Sequence, residues 1–123
     1  MERVSGIGGI FFKAADPGSL AAWYREHLGM PVEEGQTYAS IESGAAGEPT
    51  VWSTFAVNTS YFGRDDARFM VNYRVRDLDA MLAQLRAAGA EVDDRVEEYD
   101  YGRFGWAVDP EGNRFELWEP RAP

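Results

Sequence analysis

The chain repeats itself. Ile10-Phe11-Phe12-Lys13 lines up with Val71-Asn72-Tyr73-Arg74, and Asp16, which opens one helical stretch, lines up with Asp77, which opens another. Both alignments share an offset of 61 residues (10 to 71, 16 to 77). Gly29 and Gly89 close the two stretches, and the copies span about 4–62 and 65–119. A unit of this size is too small to bury its own apolar face. Two such units are therefore expected to pack on each other, and a concave space between them is a natural place for a ligand. At 123 residues the expectation is one domain, 1–123, with internal symmetry.

Within each copy the order of signals is the same. Val4 to Lys13 reads as a strand. Asp16-Pro17 supplies an N-cap and a proline at the first helical position. Leu20, Trp23, Tyr24, His27 and Leu28 then follow helical spacing as one stripe. Short β-like runs follow at Thr37–Ile41 and Thr50–Val57, with a glycine-rich loop over Ser43–Pro49. A polar connector, Asn58–Ala67, leads to a strand at Arg68–Val75. Leu78, Met81, Leu82 and Leu85 form the second stripe. Glu97–Val108 and Asn113–Glu119 read as the last strands, joined by Asp109-Pro110-Glu111-Gly112-Asn113, where proline presets one φ and glycine permits a positive one. Each half is β-α-β-β, with a third strand expected in both.

Composition removes several function classes. Lysine and arginine number 12 against 21 acids, a net charge of −9. That disfavours nucleic acid, which demands a basic footprint, and favours a cationic ligand through long-range attraction. The absence of cysteine excludes disulfides and thiolate metal sites. No run reaches the roughly 18 apolar residues of a membrane span, and no leader pattern is present. A cytoplasmic protein that does not engage membranes is expected.

The tail Asp109-Pro110-Glu111-Gly112-Asn113-Arg114-Phe115-Glu116-Leu117 resembles the closing motif of the glyoxalase / bleomycin-resistance / dioxygenase superfamily, also called vicinal oxygen chelate. The opening, Gly8 to Asp16 with Trp23-Tyr24 and Leu28-Gly29, is similar to its first strand and helix, and Tyr73 to Asp79 to the start of its second half. The resemblance covers nearly the whole chain. It implies an α+β fold in which two βαβββ modules form an open, curved, eight-stranded mixed sheet around a cavity, in a homodimer. Metal-dependent relatives hold a divalent ion there, usually through His, His and Glu. Carried onto this chain, those positions fall at Gly9, Met70 and Glu116. Glycine offers no donor, and a thioether suits soft ions rather than Ni, Zn, Mn or Fe(II). The lone histidine, His27, belongs to the first helical stripe. The expectation is therefore no catalytic metal and no cofactor.

Strand alternation extends the reading. If 9, 70 and 116 point into the cavity, so do Phe11, Lys13, Arg68, Asn72, Arg74, Arg114 and Trp118, while Ile10, Phe12, Val71, Tyr73, Phe115 and Leu117 face the helices. Trp52, Tyr61, Tyr99, Tyr101, Arg103 and Trp106 are further candidates of ambiguous phase. The expected ligand-binding set is Phe11, Trp52, Met70, Asn72, Arg103 and Trp118, with Glu116 as the catalytic candidate. Glu116 has three readings: a remnant paired with Arg68, Arg103 or Arg114; a general base; or a partner for a cationic group. The functions that follow are a metal-free binder of a small organic ligand, of the bleomycin-resistance kind; a metal-independent, or atypically metallated, lyase- or oxygenase-like enzyme using Glu116; and a domain whose cavity is filled by its own aromatics.

Overall fold

The computed structural model describes residues 1–43 and 48–121. Its elements are β1 (Val4–Ala14), α1 (Pro17–Leu28), β2 (Tyr38–Ser43), β3 (Glu48–Ala56), β4 (Phe69–Val75), α2 (Leu78–Ala87), β5 (Glu91–Val92), β6 (Glu97–Tyr99), β7 (Gly102–Val108) and β8 (Arg114–Pro120). This is an α+β chain with eight strands in mixed pairing and two helices. It divides into two compact units, Gly9–Phe69 and a second made of Met1–Gly8 with Met70 onward, so β1 contributes residues to both.

In the unit Gly9–Phe69, β1 runs parallel to β3 and β2 antiparallel to β3, with an isolated bridge joining Val32 to Ala39. Asp16 caps α1, its Oδ1 accepting from the Ser19 amide at 3.0 Å, and Gly29 ends the helix at φ 65°, the left-handed region that glycine enters without a Cβ penalty. The helix meets the strands through Ala21, which is wholly buried, and through Tyr24, whose ring lies 4.8 Å from that of Trp52. The expected stripe is rotated by this: Trp23 and Leu28 are 51% and 62% exposed, and His27 is exposed with its ring 4.9 Å from that of Trp23. A methyl at position 21 lets helix and sheet approach, and that close contact takes the place of the bulkier neighbours.

The other unit repeats the plan. β4 is parallel to β8, β7 antiparallel to β8, and β5 antiparallel to β7. The path β4-β8-β7-β5 thus mirrors β1-β3-β2 followed by the Val32 bridge. Asp77 caps α2 by accepting from the Ala80 amide at 2.9 Å, and Glu119 takes the Leu78 amide at 2.8 Å. Leu78, Met81 and Leu82 bury against Val75 and Leu117, with Tyr73, Leu85 and Phe115 alongside.

Two expectations change. Glu97–Val108 is not one strand but a hairpin, β6 and β7, turning at Asp100-Tyr101; Gly102 adopts φ 140°, and a Cβ there would fall 2.4 Å from the Glu119 carbonyl oxygen. The loop expected over Ser43–Pro49 is shorter, because Ser43 ends β2 and Glu48 begins β3; its residues 44–47 lie outside the described residues. Among the described residues no helix is long and apolar enough to cross a membrane.

Candidate functional site

The turn after β7 sets the register of the site. Asp109 Oδ1 accepts from the amides of Glu111 (2.9 Å) and Asn113 (3.0 Å), and Gly112 takes φ 86°. This closes the hairpin so that Val108 pairs with Arg114 and, two residues back on each side, Trp106 pairs with Glu116. β4 places Asn72 opposite Glu116 from the other side. Three side chains therefore lie in one row across three strands, on one face because side chains alternate along a strand.

The row is hydrogen-bonded from end to end. Asn72 Nδ2 donates to Glu116 Oε1 at 2.6 Å, and Trp106 Nε1 donates to Glu116 Oε2 at 2.9 Å. Asn72 and Glu116 are each 2% exposed and Trp106 1%. A carboxylate buried this deeply needs donors for its lone pairs, and donors to a charged acceptor make stronger bonds than neutral pairs. Asn72 Oδ1 is different: it is buried and accepts no hydrogen bond among the described residues. It lies in the space that a side chain at Gly8 would fill, since a Cβ there would be 2.1 Å from it.

A second row follows. Trp118 pairs with Phe104 on one side and Arg74 on the other. The Trp118 and Phe104 rings stack at 5.8 Å with an 8° interplanar angle, and Trp118 Nε1 donates to the Tyr101 carbonyl at 3.1 Å. Tyr99 and Tyr101, carried by the extra hairpin, stack on each other at 5.4 Å and are 44% and 60% exposed. Behind Trp106, the guanidinium carbons of Arg95 and Arg114 lie 5.4 and 5.5 Å from its ring centroid, within cation–π range.

Asp93 organises those two arginines. It accepts from the Arg95 amide at 2.9 Å and lies 3.5 Å from Arg95 Nη2 and 3.4 Å from Arg114 Nη2. The Arg95 amide above all, then the Arg95 and Arg114 side chains, hold its carboxyl below the usual carboxylate range against the opposing effect of burial. A carboxyl depressed in the folded state stabilises the fold above its unfolded pKa and loses that contribution as pH falls through the folded value. Asp93→Asn is therefore expected to lower the urea midpoint at pH 7. The gap to wild type should shrink steadily below about pH 4, the ordinary aspartate value; a pH-independent gap would refute this linkage.

The expected ligand set is divided by the structure. Asn72 and Trp118 share the face of Glu116, and Met70, 1% exposed, precedes Asn72 by one full alternation on β4. Phe11 belongs to the other unit, buried with its ring 5.4 Å from Phe55, as does Trp52. The structure fixes the phase of two members that the residues alone leave ambiguous. Trp52 faces α1, its ring 5.2 Å from Phe12 and 4.8 Å from Tyr24, because it pairs with Ile10 on the helix side of β1. Arg103 faces away from the Glu116 row and donates to Asp79 of α2 at 2.9 Å, because it falls one residue out of phase with Phe104 and Trp106. Of the arginines expected beside Glu116, Arg103 pairs with Asp79 and Arg114 lies 3.4 Å from Asp93, while an amide and an indole donate to the two Glu116 oxygens. Trp106 is the member of the row whose phase the residues alone left ambiguous.

The donor set does not suit a divalent ion. The Asn72 carboxamide nitrogen and the Trp106 indole N–H are donors, not ligands, and each holds one Glu116 oxygen, in a row without an imidazole or a second carboxylate. Among the described residues no three His, Cys, Asp or Glu side chains come together as a metal-holding group.

The model of the glyoxalase-like domain family matches residues 9–118. The chain belongs to the glyoxalase-like domain family. No curated protein matches it. Solved structures that resemble this glyoxalase-like chain include methylmalonyl-CoA epimerase from Mycobacterium tuberculosis, at 22% identity and TM-score 0.69, covering 97% of this chain and 90% of that one. A variant Streptomyces coelicolor methylmalonyl-CoA epimerase, in complex with 2-nitronate-propionyl-CoA, aligns at 17% identity and TM-score 0.75, over 98% of this chain and 100% of the other. A structure described as NAD-dependent benzaldehyde dehydrogenase from Legionella pneumophila aligns at 16% identity and TM-score 0.61, over 92% and 98%. At these identities the likeness establishes the glyoxalase-like fold alone, and a fold hosts many chemistries.

Proposed function

We propose that this glyoxalase-like chain binds a small organic ligand on the face of β4, β7 and β8, without a catalytic metal, as a cytoplasmic homodimer. One observation carries the reading: the carboxylate at the family's ligand position accepts from Asn72 and Trp106, in a row with no imidazole or second carboxylate beside it among the described residues. That wiring holds the Glu116 side chain in one orientation in an aromatic setting, with Phe104 and Trp118 stacked in the next row. Asn72 Oδ1, buried and without a donor, supplies an acceptor for a ligand N–H or O–H once the face opens. A flat or cationic molecule with one or two polar handles matches these groups, and the net charge of −9 attracts a cation.

The test has two arms. Purified protein dialysed against chelator and then given Ni, Zn, Mn or Fe(II) should show no gain in melting temperature and no stoichiometric metal by elemental analysis. A thermal-shift screen of basic glycopeptides and neutral aromatic metabolites should return compounds that stabilise wild type and lose their effect in Trp118→Ala. Stoichiometric metal with raised stability sinks the metal-free reading. A screen in which neither class stabilises the protein sinks the binding reading.

An enzymatic reading is the alternative, because the epimerase structures that this fold resembles include one in complex with 2-nitronate-propionyl-CoA. Glu116 would then act as a base on a small carbonyl substrate. Its burial and its two donors require those bonds to be exchanged for substrate contacts, which favours the binding role.

A further inference from the structure

We infer that a pocket at the start of the second unit is an oxyanion site, taking the phosphate or carboxylate group of a small ligand. The pocket holds about 450 Å³ and is lined by Met1, Glu2, Arg3, Val4, Ser5 and Arg76. None of these residues belongs to the Asn72–Glu116–Trp106 row, so this is a separate place on the protein.

Its walls are tied down by named bonds. The Glu2 amide donates to Gln84 Oε1 at 2.9 Å, and Gln84 Nε2 donates back to the Glu2 carbonyl at 3.2 Å. Glu2 Oε1 accepts from the Asp77 amide at 3.3 Å, and Ser5 Oγ donates to the Arg74 carbonyl at 3.1 Å. The Glu2 carboxylate, the acidic member of the lining, is thus engaged at the head of α2.

The two arginines are what point to an anion. Several guanidinium groups elsewhere serve carboxylates: Arg64 with Asp66, Arg95 with Asp93 and Glu97, Arg103 with Asp79, Arg121 with Glu98. Arg3 and Arg76 have no hydrogen-bond or ion-pair partner among the described residues, yet the chain has 21 acids for 12 bases. Arg25 and Arg68 are likewise without a side-chain partner among the described residues; what sets Arg3 and Arg76 apart is that both line one pocket, where a single anion meets two cations. The guanidinium fork matches the oxygen spacing of phosphate and carboxylate and binds them in pairs of parallel bonds. The end of α2 does not supply the attraction, because Asp77, Glu119 and Glu2 already take its first amides. The apolar side chains of Met1 and Val4 give room for a short carbon skeleton beside the charged group.

The experiment follows amide signals of the full chain by NMR during titration with inorganic phosphate and, separately, succinate, at constant ionic strength. Saturable shifts at Arg3, Ser5 and Arg76 are expected, weakened at least tenfold in the double variant Arg3→Gln/Arg76→Gln and unchanged in Arg25→Gln. Both pocket arginines are exposed, so the variants should fold; unchanged signals elsewhere will verify it. Stronger binding of phosphate identifies a phosphate-bearing ligand, and stronger binding of succinate a carboxylate. Shifts that track chloride equally well, or a double variant that binds within twofold of wild type, overturn the site.

Discussion

Glu116→Ala is expected to cost about 4 kcal/mol of folding stability. It removes the acceptor of two buried donors, and each buried donor left without a partner costs roughly 1–3 kcal/mol. Asn72 Nδ2 and Trp106 Nε1 are those donors, and neither has water to turn to, since Asn72 is 2% and Trp106 1% exposed. The void left by the side chain adds to the loss. Such a change approaches the whole stability of a marginal small domain, commonly about 5–15 kcal/mol. Glu116→Gln keeps one acceptor oxygen and should cost about half as much. A double-mutant cycle with Trp106→Phe separates the bond from the burial: a coupling of about 1–3 kcal/mol is expected between residues that share a hydrogen bond. Urea unfolding measures it. Additive single and double variants would mean that the indole N–H contributes nothing to holding the carboxylate.

The same variants weigh the two functional readings. In the binding role, Glu116→Gln weakens ligand stabilisation in step with the loss of charge. In the enzymatic role, it leaves binding in place and abolishes turnover.

Much of this arrangement was legible in the residues. The offset of 61 residues (10 to 71) returned as matching strand paths in the two units, because identical cap and stop signals at Asp16 and Gly29, Asp77 and Gly89 cut the chain into equivalent pieces. Alternation from Asn72 and Glu116 correctly put Trp118 on their face and Tyr73, Phe115 and Leu117 against α2, because a slip of one residue would have exchanged apolar and polar faces. Trp52, which packs on α1, and Arg103, which reaches α2, had an ambiguous phase for the opposite reason. Their strands contain both polar and aromatic residues at either phase, so composition alone leaves the face undecided. Trp106 had a usable signal: a five-residue turn from Asp109 to Asn113 pairs 108 with 114, and counting back pairs 106 with 116. The hairpin of β6 and β7 was hidden because Asp100-Tyr101 lacks the usual glycine pair, the glycine falling one place later at Gly102. The buried bonds of the row were beyond reach, since alternation gives a face and not a distance.

Gly8→Ala should destabilise the protein by about 2–3 kcal/mol, although it adds a single methyl group. Backbone strain is not the reason, for Gly8 does not occupy the left-handed region. Space is the reason. The new Cβ would lie 2.1 Å from Asn72 Oδ1, 2.9 Å from Trp118 Cε3 and 3.2 Å from Arg74 Cγ. The first distance is impossible, so Asn72 must turn, and turning it withdraws Nδ2 from Glu116. Overpacking of a tight interior costs roughly 1–3 kcal/mol, and the broken bond to a buried carboxylate brings the loss to the upper part of that range. The mechanism makes a sharper prediction than the magnitude does. In an Asn72→Ala background the nearest obstruction is gone while Trp118 Cε3 at 2.9 Å remains, so the same glycine replacement should still cost something but clearly less than in wild type, with a coupling of about 0.5–3 kcal/mol between touching residues. Equal costs in both backgrounds would show that β1 shifts as a whole to accept the methyl. In that case the glycine is not what lets Asn72 reach across to the carboxylate.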